Sequence, residues 1–284
     1  MFQNKLKTLN ASIKQKDILE LEKKYFEILY KIFSANTFKT ELNAIMQNIN
    51  ANWKVIHEVW AKPNVVDLAV ERHINFRVYN DPSLKGHIKA IYPSVISSDT
   101  AFVTDDAVIN IDSKTTNVET NYGDWKTQLV GSNQASFDNK NYFPPRKKGV
   151  SVKPTILLQP YYGGKPVLSF FLSTLYHSDK VNKIDTWYND ASHKVKPYNK
   201  DNEKVETRTI SKKPWRTNIK FSCVPHKDLS SLYDHDIVCG VKGYIPPDSP
   251  NPIGTKSVRI KHEILKERLD SNGVPWEGFK NWQI

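Results

Sequence analysis

Between Ser98 and Asn117 the chain reads SDTAFVTDDAVINIDSKTTN, with short alternating runs on either side of Thr104-Asp105-Asp106. A period of two marks a strand, because successive side chains leave opposite faces of the backbone. Ala107, Ile109 and Ile111 therefore point toward a core, while Asn110, Asp112 and Lys114 share the other face. With the turn centred near Asp105, paired residues of the resulting hairpin have numbers that sum to roughly 209–211. Asp112 then lies opposite the region of Ser97 to Asp99.

Two neighbouring carboxylates cost free energy unless one is protonated or a cation lies between them. Mg2+ suits such a pair, since it takes few carboxylates and keeps water and substrate phosphate as its other ligands. Lys114 can then hold an attacking water and neutralise charge developing on a phosphorane, as metal-assisted phosphodiester hydrolysis requires. The bland alternative for Asp-x-Lys on a strand is a solvated edge with a weak ion pair.

Upstream, DILELEKKYFEILYKIFS spaces Ile18, Leu21, Tyr25, Ile28 and Ile32 by three and four residues, which predicts an amphipathic helix from Asp17 to Ser34. A second helix is expected over ELNAIMQNINANWKVIHEVW, ended by Pro63, and a third over VVDLAVERHINF, capped by Asn64. Strands are expected after Tyr79. The polar stretch from Asn117 to Gly149, rich in Asn, Gly, Pro and Ser, is expected to form long loops or a short helix. Core returns in VKPTILLQPYYGGKPVLSFFLSTLYH, two apolar strands joined across Gly163-Gly164 and covered on both faces. The last strands are NIKFSC, DIVCGVKGYI and KSVRIKHEIL.

At 284 residues the chain can bury a sizeable core, and a single domain is the default: 1–80 helical, 81–190 the catalytic core, 191–284 recognition and C-terminal strands. Its net charge of +11 favours a polyanionic partner, nucleic acid first and an anionic membrane surface second. The N-terminus lacks the apolar run of a signal peptide and no segment reaches the length of a membrane span, so a cytoplasmic protein is expected. Two cysteines, Cys223 and Cys239, exclude a disulfide framework.

Asp99, followed thirteen residues later by Asp112-Ser113-Lys114, resembles the PD-(D/E)xK nuclease motif. The resemblance extends to type II restriction endonucleases of the EcoRV, HincII and BglI branch. NIDSKTTN is similar to their second catalytic strand, VGSNQASF to the loop that follows, and KPTILLQPYYGGKPVLSFFLSTLYH has a counterpart in the BglI type. The chain departs from the pattern where no Pro directly precedes Asp99 and where Ser113 replaces an apolar residue. The resemblance implies an α/β (α+β) restriction-endonuclease-like fold, a central mixed sheet with helices on both faces and extra C-terminal strands. It implies Asp99 and Asp112 as ligands of Mg2+, with Mn2+ able to substitute, and Lys114 as the group that positions the nucleophile. Glu71 matches the acidic residue that many of these nucleases carry on a neighbouring helix. Asp81 is an alternative first ligand, because in the BglI type that carboxylate can come from further upstream. Also implied are hydrolysis of double-stranded DNA to 5′-phosphate and 3′-hydroxyl ends, a homodimer on a palindromic target, and a cognate DNA methyltransferase. A repair or recombination nuclease of the same fold and a non-catalytic DNA-binding protein are the alternatives.

Asn133 and Gln134, after the catalytic strand, can make bidentate contacts to adenine or simply satisfy their own loop. Ser257, Arg259 and Lys261 alternate with Val258 and Ile260, a cationic strand face that the family uses to read guanine, though a solvated face has the same pattern. Lys212, Lys213 and Arg216, beside Trp215, suit phosphate contact, or else form a basic loop. Cys223-x2-His226-x8-His235-x3-Cys239 holds zinc-ligand types at no recognised finger spacing, and a structural zinc is not expected there.

Overall fold

The computed structural model describes residues 11–52, 65–92, 99–117, 127–131, 160–180, 184–185, 207–208, 211–233, 238–242 and 257–283. Three long helices come first: α1 (Ile13–Ser34), α2 (Asn36–Ala51) and α3 (Val65–Asn80). Helix α1 begins four residues earlier than its apolar spacing suggests because Ser12 and Gln15 form a capping box. Gln15 N–H donates to Ser12 Oγ at 3.3 Å, and Ser12 N–H to Gln15 Oε1 at 2.8 Å. Helix α3 runs past Phe76 to Asn80, where Asp81 caps the single turn α4 (Pro82–Lys85). Asn64 and the second half of the expected second helix lie outside the described residues.

The strands are β1 (Ala90–Tyr92), β2 (Thr100–Val103), β3 (Val108–Asn117), β4 (Thr127–Gly131), β5 (Tyr161–Tyr162), β6 (Lys165–Lys180), β7 (Ile184–Asp185), β8 (Thr207–Arg208), β9 (Ser211–Val224), β10 (Val238–Lys242), β11 (Ser257–Lys261), β12 (Arg268–Leu269), β13 (Pro275–Trp276) and β14 (Phe279–Gln283). The central sheet runs β1-β2-β3-β6-β9-β14, with β5 attached to β6. It is mixed: β3 and β6 are parallel and the other pairs antiparallel. Gly163 and Gly164, at φ 57° and 79°, make the two-residue turn from β5 to β6, a backbone that L side chains rarely adopt. The expected strand before Pro160 lies outside the described residues.

One face of the sheet is covered by α1, α2 and α3. Ile109, Ile111, Phe170, Leu172, Ile219 and Phe221 meet Phe26, Leu29, Phe33, Val70 and Ile74 in the main core. Phe26 stacks on Phe221 with ring centroids 4.9 Å apart. Fully burying one such aromatic side chain stabilises by about 1.5–3 kcal/mol. The opposite face bears the extra C-terminal strands and a helix, as the fold class expected from the sequence requires. It carries a three-stranded sheet, β10-β11-β4, and the short helix α5 (His262–Lys266), joined to the central sheet through Val130, Phe171, Val224, Ile260, Leu265 and Phe279.

Strand β4 corrects the reading of its segment as loop. Thr127–Gly131 pairs antiparallel with β11, and Val130 is fully buried against the sheet. Its partner is distant in sequence, so nothing local announces it. Lys212, Lys213 and Arg216 likewise belong to β9 rather than to a loop. Glu22 and Arg268, both fully buried, pair across the core between α1 and β12. The pair is closed by His226 N–H, which donates to Glu22 Oε1 at 2.7 Å, and by Cys223 O, which accepts from Arg268 Nη1 at 3.0 Å. Among the described residues no helix is long and apolar enough to cross a membrane.

Candidate active site

The β2–β3 hairpin has the register expected from its turn. Thr100 pairs with Ile111 and Ala101 with Asn110, so Asp99 stands one step further along, opposite Asp112. The turn between them is held from outside: Tyr25 O–H donates to Asp106, and its oxygen accepts from Thr104 Oγ1 at 2.7 Å. Asp99 Oδ2 accepts the backbone N–H of Ser113 at 2.6 Å, which ties the first carboxylate to the strand that carries the second.

Asp112 is 3% exposed, so the face it shares with Asn110 and Lys114 is covered rather than solvated at this level of the strand. Lys114 Nζ is 2.6 Å from Asp112 Oδ2. The contact is a short ion pair, and the Lys114 ammonium is the partner of that buried oxygen. Burial pushes the Asp112 carboxyl up to about 7; Lys114 opposes the rise, and Asp99 and Asp67 add to it. Burial also raises Asp99, against the Ser113 N–H and Lys114.

Helix α3 brings two more carboxylates. Glu71 is half-buried, raised first by burial and then by the negative charges of Asp99 and Asp67. Asp67 accepts from Thr115 Oγ1 at 3.2 Å and is raised by burial and by Asp99. Asp67 is absent from the residues picked out by sequence, although its place four residues before Glu71 puts both on one helix face. Asn75 anchors the helix to the hairpin, accepting from Thr100 Oγ1 at 2.7 Å and donating to Asp99 O at 3.3 Å. Asp81 caps α4, where its Oδ1 accepts Ser83 N–H at 2.9 Å.

The small sheet covers the same face of the central sheet that bears Asp112. Ser222 donates to Gln128 Oε1 at 2.7 Å, and the buried Lys220 donates to Thr127 O at 2.8 Å. His262 receives Lys220 Nζ at 3.3 Å and stacks on Phe279; burial and Lys220 push its ring down to about 3, so it stays neutral. Ile260 is fully buried, Arg259 is half-buried and Lys261 is exposed, as alternation along β11 requires. Asn133 and Gln134 lie outside the described residues, as do the side chains of Lys212, Lys213, Trp215 and Arg216.

His226 sits beside Cys223, but its Nε2 meets Pro160 O at 2.6 Å and its Nδ1 accepts Asp228 N–H at 3.1 Å. Both ring nitrogens are therefore committed to backbone. His235 and the Cys239 side chain lie outside the described residues. Among the described residues no three His, Cys, Asp or Glu side chains close on a common ion position. Two neighbouring carboxylates of the hairpin, with Asp112 buried and paired to a single ammonium, instead fit a hard cation that completes its shell with water and phosphate oxygen.

The profile of the family described as "Type II restriction enzyme MwoI, N-terminal domain" matches residues 14–180, more than half of the chain. No curated protein matches it. Among solved structures, the restriction endonuclease BglI bound to its DNA recognition sequence is similar at a TM-score of 0.52 and 14% identity, over 87% of each chain. The tetrameric restriction endonuclease SfiI bound to cognate DNA has a TM-score of 0.46 at 13% identity, over 94% of this chain and 86% of that one. At such identities the likeness to BglI is one of fold.

Proposed function

Because the chain belongs to the type II restriction enzyme family of the MwoI N-terminal domain, we propose that it is a site-specific deoxyribonuclease whose active site is Asp99, Asp112 and Lys114. The single observation that carries this reading is the placement of Asp99 opposite Asp112, with the Lys114 ammonium 2.6 Å from the second carboxylate. Asp112 and Asp99 are the residues to hold Mg2+, or Mn2+ in its place. Bound there, the cation would polarise the scissile phosphate and supply a water of lowered pKa. Lys114, 28% exposed at its side chain, is the residue to orient an attacking water in line and to offset the negative charge that grows on the phosphoryl oxygens. The P–O3′ bond breaks, leaving 5′-phosphate and 3′-hydroxyl ends. Glu71 supplies a further carboxylate from α3, with Asp67 one turn away.

The chain acts as one endonuclease domain in the cytoplasm, on double-stranded DNA, with recognition assigned to the small sheet. Arg259 and Lys261 are on the side of β11 opposite buried Ile260, and β4 leads directly in sequence to Asn133 and Gln134. These groups reach the bases, and Lys212, Lys213 and Arg216 the phosphates. A two-fold target requires a homodimer, and a host that carries such an activity needs a methyltransferase to protect its own sites. The test is incubation of wild type, Asp112→Ala and Lys114→Ala with phage lambda DNA and Mg2+. Discrete bands from wild type alone are the expected result. DNA binding without cutting under any divalent metal would remove the nuclease assignment.

A further inference from the structure

We propose that Asn110 is a positioning residue of this active site, serving the hydrated cation held by Asp99 and Asp112. The inference rests on the two-carboxylate reading above and adds a group that the Asp-x-Lys motif does not contain. Asn110 precedes Asp112 by two residues on β3, and the uninterrupted register with β6 puts both side chains on one face. It is 1% exposed, and neither its amide nitrogen nor its carbonyl oxygen meets a hydrogen-bond partner. Asp112, on the same face, is 3% exposed and has its Oδ2 in an ion pair with Lys114 at 2.6 Å.

A buried carboxamide with nothing to bond costs stability, and Leu of similar size would fit a strand interior better. Asn110 is flanked in register by Ala101 and Ser169, both small, whereas Asp112 is flanked on β6 by the bulky Phe171. One pleat further on, Val108 and Val167 close this face with apolar side chains. Asn110 therefore lies between an apolar plug and the carboxylates. Residues two apart on a strand are about 6.6 Å apart, a span that one water bridges. Mg2+ gives up its waters reluctantly, and an amide that both donates and accepts can order one of them.

The test uses the full chain and Asn110→Leu, Asn110→Ser and Asp112→Asn. Cation binding without DNA is followed by titration calorimetry with Ca2+ and Mn2+, beside thermal unfolding without metal and the Mg2+ dependence of cleavage. The expected result is that Asn110→Leu unfolds at or above the wild-type temperature. Its cation dependence should shift to about 10–100-fold higher concentration, the range for residues that support metal ligands. Metal-free DNA binding should be unchanged, and Asn110→Ser, which retains a hydroxyl, should recover most of the cation affinity. An unshifted cation titration in the leucine variant overturns the proposal. So does failure of both variants to fold, which would make the amide structural. If wild type binds no cation that Asp112→Asn abolishes, the two-carboxylate reading itself has failed.

Discussion

Asp99 faces Asp112 across the β2–β3 hairpin, and its Oδ2 takes the N–H of Ser113 at 2.6 Å. One carboxylate is thus oriented by the backbone of the strand that presents the other. The separation of tasks predicts different losses. Asp112→Asn and Lys114→Ala should reduce cleavage by at least about 100-fold, the scale of a removed electrostatic or acid–base group. DNA binding without metal should persist or tighten in Asp112→Asn, since a negative charge is gone. Gel-shift and single-turnover cleavage on one duplex separate the two effects. Equal loss of binding and cutting would place these residues outside the chemistry.

Burial lifts the Asp112 carboxyl to about 7 in the metal-free protein. Its pKa is higher folded than unfolded, so between about 4 and 7 the folded state binds more protons. The Asp112 contribution is fully present below the unfolded value and lost as pH rises through about 7. Asp99, Asp67 and Glu71 are raised and act in the same direction, whereas Asp106, Asp228 and Asp270 are lowered and act oppositely. The comparison must therefore be with a variant. Asp112→Asn should be more stable than wild type at pH 8 by a few kcal/mol, since each tenfold change in proton affinity on folding is worth about 1.4 kcal/mol. The difference should vanish near pH 4. Ca2+ should stabilise wild type more at pH 8 than at pH 5, because cation and proton compete for the same oxygens. Melting curves across pH, with and without Ca2+, check both.

The hairpin and the first helix are legible because their signals are local. Ile109 and Ile111 alternate with Asn110 and Asp112, and a turn beside Asp105 sets the pairing whatever the rest of the chain does. β4 is hidden because TQLVG becomes a strand only by pairing with SVRIK from the far end of the chain. Lys220 falls within the expected strand NIKFSC, but nothing local in that strand announces that its side chain is buried with Thr127 O and His262 as partners. Asp67 escapes notice because α3 shows no single polar side. Its buried positions Val66, Val70, Ile74 and Val78 follow one stripe, and the acids Asp67 and Glu71 run beside it toward the hairpin rather than to solvent.

The Glu22–Arg268 pair predicts a stability effect unrelated to chemistry. Both side chains are fully buried, and Glu22 also holds His226 N–H. Removing one partner by Glu22→Ala or Arg268→Ala leaves an uncompensated charge and should cost about 3–5 kcal/mol. Replacing both together, Glu22→Leu with Arg268→Met, should cost much less than the sum. Urea unfolding of the two single variants and the double variant closes the cycle. Additive losses would show that the two charges are not coupled.

Lys261 projects from the exposed side of β11, while Ile260 next to it is fully buried. If that side faces DNA, Lys261 contributes counterion release more than sequence reading, because a flexible ammonium recognises phosphate as a point charge. Lys261→Ala should weaken binding to cognate and unrelated duplexes by a similar factor and lower the slope of log K against log salt by about 1. Arg259, half-buried on the same strand, has a planar fork suited to guanine O6 and N7. Arg259→Ala should therefore act unequally, weakening the cognate duplex by about 1–3 kcal/mol more than duplexes altered at the contacted base. Fluorescence anisotropy at several salt concentrations, on cognate and single-substituted duplexes, distinguishes the two behaviours. An unchanged salt slope in both variants would move the DNA-reading surface away from β11.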